Sequence, residues 1–384
     1  MSSLSLIQHI KSFKRIYVIY SIDLDSIITS SMLLRIAKDE EIEIYLAPFY
    51  AASKPYDSEA LVVLVKVFQK TPVSGLKVYQ IDDILGKDPK IMASTTLYML
   101  KEFKKSLILP RYIELLSLVA MLSISRGTVY DENLIDLHKN IVEEAVDKNL
   151  YTLIDTIRLF GYPKRDVVEA LTKTIDPYIA GISLNYEGSK KLLESIGGSL
   201  STEEAKTKLV NALNNILAQY NKSGVSIIGP RIILKETDVV DDIYEAVYML
   251  YNYFDLVGSD PLLYLCIDNR ILDIIKGAYD YVSESLREII DISIDGNIKK
   301  MIVKGVKLSL IDISSSSITP PLYTSYRILR ALGLVEDVTV FTNGKEFLLP
   351  LPFVASRWPY DKELNIEKSY AVFSSLQALG DVFK

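Results

Sequence analysis

The sequence predicts an α/β protein: a mainly parallel sheet flanked by helices, a helical connector, and a smaller C-terminal α/β domain. Three observations point there. Between Arg15 and Asp83, short runs of β-branched and aromatic residues alternate with helical stretches, the spacing of parallel strands joined by crossover helices. From Ala93 to about Tyr220 helical periodicity takes over. Past the turn-forming stretch Asn221–Gly224 strands and helices mix again, which divides the chain into residues 1–225 and 226–384.

The first unit, Arg15 to Lys38, reads RIYVIYSIDLDSIITSSMLLRIAK. Ile16 to Tyr20 is an unbroken β-branched and aromatic run, hence a buried strand. A short turn carries Asp23 and Asp25. A helix follows, with small residues at Ser30 and Ser31 and apolar ones at Leu33, Leu34, Ile36 and Ala37. Glu41 to Tyr50, EIEIYLAPFY, alternates like a strand. Leu61 to Phe68, LVVLVKVF, is an apolar run suited to a central parallel strand. Thr71 to Gly75 is a turn, and Leu76 to Asp83, LKVYQIDD, a further strand.

The spacing then predicts helices over Ser94–Phe103, Tyr112–Ser125, Glu132–Asn149, Tyr151–Phe160 and Asp166–Thr172. Thr174 to Gly198 is a Pro/Gly-bearing loop feeding a short helix. Ser201-Thr202-Glu203-Glu204 has the capping chemistry to open another, running to Tyr220. In the C-terminal part, Asp241–Tyr253, Leu272–Ile290 and Tyr323–Leu332 read as helices, and Ile298–Ile313 holds short strands. Val338 to Phe353 is two strands around an Asn343-Gly344 turn. Exposed strand edges and the apolar tail, Tyr370 to Phe383, are candidate contact surfaces, although such a tail more often packs on its own domain.

At 384 residues, 49% hydrophobic and a mean hydropathy of +0.20, the chain can build sizeable cores and is not a disordered one. No apolar run approaches the ~18 residues of a bilayer span. The longest, Leu107 to Ile124, is broken by Pro110, Arg111 and Glu114 and reads as a buried helix. The N-terminus lacks the charged start and cleavage site of a signal peptide, so a soluble, cytoplasmic protein with no membrane contact is expected. Cys266 is the only cysteine, which excludes an internal disulfide and a cysteine metal site; its apolar neighbours place it in the core. A net charge of −6 argues against nucleic-acid binding by bulk charge. The clusters Lys11/Lys14/Arg15, Lys101/Lys104/Lys105 and Lys299/Lys300/Lys304/Lys307 can touch phosphate, but such runs are ordinarily solvated faces.

Asp23 and Asp25 lie just past the carboxyl end of a strand, where open α/β sheets place their ligands. Asp-x-Asp suits a hard divalent cation, which takes oxygen ligands. Asp23 or Ser26 can equally cap the helix. The only histidines, His9 and His138, read as surface residues, so a histidine-rich metal site cannot be built. Phosphate-cradling glycine loops and a nucleophile elbow are absent.

Three stretches together resemble the DHH phosphoesterase superfamily, most closely its archaeal RecJ-like branch with a degenerate active site. They are VIYSIDLDSIITSSMLL, IMASTTLYML (Ile91 to Leu100) and TIDPYIAGISLNYEGSKKLLESIG. They cover the first half; the second resembles the family's DHHA1-like C-terminal domain only in order and size. The resemblance implies a DHH-type sheet and a site in which carboxylates and histidines hold two Mn or Mg ions. Asp23 and Asp25 match the first motif. The next aspartate belongs at the end of LVVLVKVF, where this chain has Lys66 and no acid. At the Asp-His-His motif Asp82 fits the first position, but Asp83 and Ile84 stand at the two histidine positions. A later aspartate, expected after LLSLVAMLSI, is replaced by Ser123, Ser125 and Arg126. The substrate-binding Gly-Gly-Gly-His loop is missing. Asp23, Asp25 and Asp82 are therefore vestigial metal-site positions. No catalytic residue, metal or cofactor is expected beyond weak Mg or Mn binding.

A degenerate scaffold of this kind resembles the family of cell division control protein forty-five and its archaeal counterparts. Those are structural subunits that join the GINS complex and the MCM ring in the CMG replicative helicase. The resemblance implies a non-catalytic subunit that binds GINS, supports MCM in DNA replication, and contacts single-stranded DNA near the fork. The alternatives are a Mn/Mg-dependent single-strand exonuclease or small phosphoesterase with a carboxylate-only site, and a DHH-fold binding protein for a nucleotide or oligonucleotide.

Overall fold

Runs rich in valine, isoleucine and tyrosine form the first sheet. In a computed structural model, residues 6–51, 59–67, 77–81, 94–235, 240–316, 320–355 and 364–383 are described. After the short helix α1 (Leu6–Lys11) come β1 (Arg15–Tyr20), α2 (Leu24–Asp39), β2 (Glu43–Pro48), β3 (Leu61–Val65) and β4 (Lys77–Gln80). The four strands are parallel in the order β2-β1-β3-β4. β3 is buried along its whole length, as its unbroken apolar sequence requires. The motif residues Asp82, Asp83 and Ile84 lie outside the described residues.

A helical layer follows: α3 (Thr95–Lys104), α4 (Arg111–Ser123) and α5 (Glu132–Ala145). α4 is buried from Ile113 to Ser123 and packs on α2, α3 and, from the second half, α9 (Ile243–Val257). The sequence reading of Tyr151–Phe160 as a helix is overturned. The segment is β5 (Tyr151–Ile157), antiparallel to β6 (Ile228–Leu234), from Tyr151↔Leu234 to Ile157↔Ile228. Thr152, Ile154, Thr156 and Ile157 are β-branched and favour the extended chain once a partner strand is present. That pairing crosses residue 225, and the buried residues of both halves form one continuous cluster.

Between β5 and β6 lie α6 (Val167–Lys173), α7 (Tyr186–Ser195) and α8 (Glu203–Leu217). Thr202 caps α8 by accepting from Ala205 N at 3.2 Å. After α9 a short 3-10 turn (Asp260–Tyr264) and the long α10 (Ile271–Ile294) lead into a six-stranded sheet. Its strands are β7 (Ile298–Val303), β8 (Val306–Asp312), β9 (Thr339–Thr342), β10 (Phe347–Pro350), β11 (Ile366–Glu367) and β12 (Tyr370–Phe373), in the order β11-β12-β10-β9-β8-β7. Neighbours run antiparallel except β8 and β9, which are joined through α11 (Leu322–Ala331). The expected Asn-Gly turn joins β9 to β10, and the apolar tail supplies the buried strand β12.

Segment 259–266 docks back on the first half. Ser259 Oγ lies 3.1 Å from Tyr20 Oη, Cys266 N donates to Ser31 Oγ at 2.8 Å, and Tyr112 Oη donates to the Cys266 carbonyl at 2.7 Å. Cys266 is buried, as expected. Among the described residues no helix is long and apolar enough to cross a membrane.

Both histidines depart from the surface positions the sequence suggested. His138 is buried, because it falls in the stripe Leu134, His138, Ile141, Ala145 that α5 turns to the core. Its Nε2 accepts from Ser94 N at 2.9 Å, which leaves Nδ1 to donate to the Leu134 carbonyl at 2.9 Å. The ring is thus a neutral tether for the start of α3. His9 is half-buried, edge-on to Tyr79 at 4.5 Å and to Phe13 at 5.7 Å.

Candidate functional site

β1 ends at Tyr20, and the turn after it delivers Asp23 and Asp25 to the start of α2. Asp23 is extended and caps that helix: its Oδ1 accepts from Ser26 N at 2.9 Å and its Oδ2 from Ser26 Oγ at 2.7 Å. Asp25, inside the first turn of α2, is fully buried and faces the first turn of α3. Oδ1 accepts from Ser94 Oγ at 2.7 Å and Thr96 N at 3.1 Å; Oδ2 accepts from Thr95 N and Thr95 Oγ1, each at 2.8 Å. It therefore caps a helix other than its own, at the end where the helix dipole favours negative charge.

Lys66 completes the cluster. It follows β3 with φ +53°, a conformation rare for residues with a side chain. Its Nζ lies 2.5 Å from Asp25 Oδ2 and 3.7 Å from Asp23 Oδ1. Burial alone would push the Asp25 carboxyl up. The Lys66 ammonium, with hydrogen bonds from Lys66, Thr96 and Ser94, outweighs that and holds it at about 2, below the ordinary 3.8.

A carboxyl depressed in the folded state adds stability above its unfolded pKa and loses it as the pH falls through the folded one. We expect urea midpoints of the wild type to fall between pH 4 and pH 2 for this reason. Asp25→Asn should flatten that part of the profile.

Asp25 already accepts from Ser94, Thr96, twice from Thr95, and from Lys66. The described residues do not fit the divalent ions the resemblance implied: the Lys66 ammonium already lies against both carboxylates, at the point where a cation would be held. Among the described residues no group of three metal-ligating side chains converges.

The position after α4, where a further ligand was expected, is occupied from the second half of the chain. The Ser123 carbonyl accepts from Tyr251 Oη at 3.0 Å, and the Ser125 carbonyl from Arg327 Nη1. Arg327 is buried with its guanidinium 5.3 Å from the Tyr251 ring; Arg126 is exposed. Members of each basic cluster have acidic partners: Lys11 with Glu40, Lys101 with Glu144, Lys104 with Glu114, Lys300 with Glu336 and Lys304 with Asp381.

The structure thus brings Asp23 and Asp25 together, with Lys66 between them. Sequence reasoning noted Lys66 as a missing acid and overlooked it as a present cation. The available signal was a single lysine closing the apolar run LVVLV. It also overlooked Ser94, Thr95 and Thr96 as donors, and Tyr251 and Arg327 as the groups covering Ser123 and Ser125.

No family model matches the chain, and no curated protein matches its sequence. Solved structures do match. CDC45 from Entamoeba histolytica superposes with a TM-score of 0.59 at 11% identity, covering 98% of this chain and 97% of that one. RecJ from Thermus thermophilus, in complexes with Mg2+ and with Mn2+, matches with a TM-score of 0.40 at 12% identity. There 98% of this chain spans about half of the RecJ chain, 50% and 52% in the two structures. The fold of this chain is that of CDC45: a parallel sheet flanked by helices with a mixed C-terminal sheet, the α/β layout the sequence predicted.

Proposed function

We propose that the chain is a non-catalytic, RecJ-like subunit of an archaeal replicative helicase, binding GINS and supporting MCM in DNA replication. One observation carries this reading: the likeness to CDC45 runs end to end in both chains, 98% of one and 97% of the other. The cluster at the carboxyl end of the sheet agrees with it. Where a phosphoesterase of this fold class needs open oxygen ligands for metal, Asp25 is committed to the start of α3 and to Lys66. The net charge of −6 and the acidic partners within each basic cluster suit a protein-binding scaffold better than an enzyme tracking single strands through a positive groove.

The test has two arms. The tagged chain, drawn from native cell extract, is expected to bring down GINS subunits in near-equal amounts, with MCM at lower salt. Incubated with labelled single-stranded DNA and Mn2+, the purified chain is expected to leave the label intact. Recovery of neither partner overturns the helicase assignment. Metal-dependent loss of label, abolished by Asp23→Ala, replaces it with the carboxylate-only exonuclease.

A further inference from the structure

We propose that Lys66 is a built-in substitute for a divalent cation: its ammonium bridges Asp23 and Asp25, joins β3 to the starts of α2 and α3, and keeps metal out. This does not rest on the helicase reading and holds whichever partners the chain has. The geometry carries it. Asp23 and Asp25 approach one point from two residues of one turn, and that point holds Nζ at 3.7 and 2.5 Å. Two carboxylates facing one point repel, and a positive charge held there offsets that repulsion, above all when one of them is fully buried. A metal would supply it from solution; here the chain supplies it from the residue after the central strand.

The backbone points the same way. Lys66 is in the left-handed region, where glycine is the usual occupant. An unfavourable conformation persists where the surroundings over-determine it, and such places cluster at sites with a task. The site is also reachable: the Lys66 and Asp23 side chains are 24% and 28% exposed. Exclusion of metal therefore falls to the lysine rather than to burial of the whole cluster.

The decisive comparison is the full-length wild type against Lys66→Gln, Lys66→Arg and the double variant Lys66→Gln/Asp25→Asn. Each is melted in EDTA and in millimolar Mn2+, and Mn2+ uptake is followed by paramagnetic resonance. The wild type and Lys66→Arg should take up no Mn2+ and melt alike in both solutions. Lys66→Gln should melt roughly 5–10 °C lower in EDTA, bind Mn2+, and recover more than half of the loss when it is present. The double variant should take up none. Mn2+ held by the wild type and lost on Asp25→Asn overturns the inference, and the helicase reading stands if GINS is still recovered. Lys66→Gln that ignores Mn2+, whether it melts like the wild type or stays unfolded in both solutions, overturns it as well.

Discussion

Asp25→Ala is expected to lower folding stability by about 3–5 kcal/mol, the loss typical of breaking a buried ion pair. The side chain removed is small, but what it leaves is not. The Thr95 and Thr96 amides, the Ser94 and Thr95 hydroxyls and the Lys66 ammonium all donate to this carboxylate. Without it, the first turn of α3 keeps donors that have no acceptor inside the fold, and each such buried group costs about 1–3 kcal/mol. Asp23→Ala makes the contrast. That carboxylate is half-buried and caps one helix through Ser26, so its loss should cost only about 1 kcal/mol. Urea unfolding of both variants checks the pair. Equal losses would show that Asp25 is no more than an ordinary cap.

The other large effect is expected at Arg231, which is fully buried in β6. Its Nη1 donates to the carbonyls of Ile157 at 3.2 Å, Leu159 at 2.5 Å and Tyr162 at 3.1 Å, while Nη2 pairs with Asp242. Asp242 in turn accepts from Gly161 N at 2.8 Å and caps α9 through Tyr244 N and Glu245 N at 2.8 and 3.0 Å. One planar fork thus ties a strand, the loop after its partner strand and the start of a helix. Arg231→Ala leaves a buried carboxylate without its counter-charge and should cost about 3–5 kcal/mol. Arg231→Lys keeps the charge but not the fork, and should lose much of the same stability. Denaturation midpoints close to wild type for both would show that Asp242 finds its compensation elsewhere.

What the sequence disclosed, and what it did not, follows from where the deciding partner lies. The strand-turn-helix at Arg15–Lys38, the buried β3, α4 and the turn at Asn343-Gly344 are local patterns, and a local pattern reports which face is buried. Asp23 as a cap belongs with them, since its partner Ser26 is three residues away. Asp25 was readable as an acid at a strand end. Its role was not, because its donors on α3 lie 69 to 71 residues on. The same distance defeated the reading of β5, whose extended form depends on a strand near residue 230. His138 is different: its place in the apolar stripe of α5 was visible, and its polarity drew attention away from it. Arg327 reaches Ser125 across 202 residues, and no local period encodes that contact.

The docking of Asp260–Tyr264 and Cys266 onto α2 bears on how the chain is made. Ser31 and Cys266 are 235 residues apart. A ribosome adding ~5–20 residues each second delivers the later one roughly 10–50 s after the earlier. Through that interval the face of α2 that will receive the segment is without its cover, and Ser31 lacks the amide it will accept from. Helix formation and strand pairing within the first half take microseconds to milliseconds by comparison. The nascent first half therefore waits, its α2 face uncovered, on a stretch still to be synthesised.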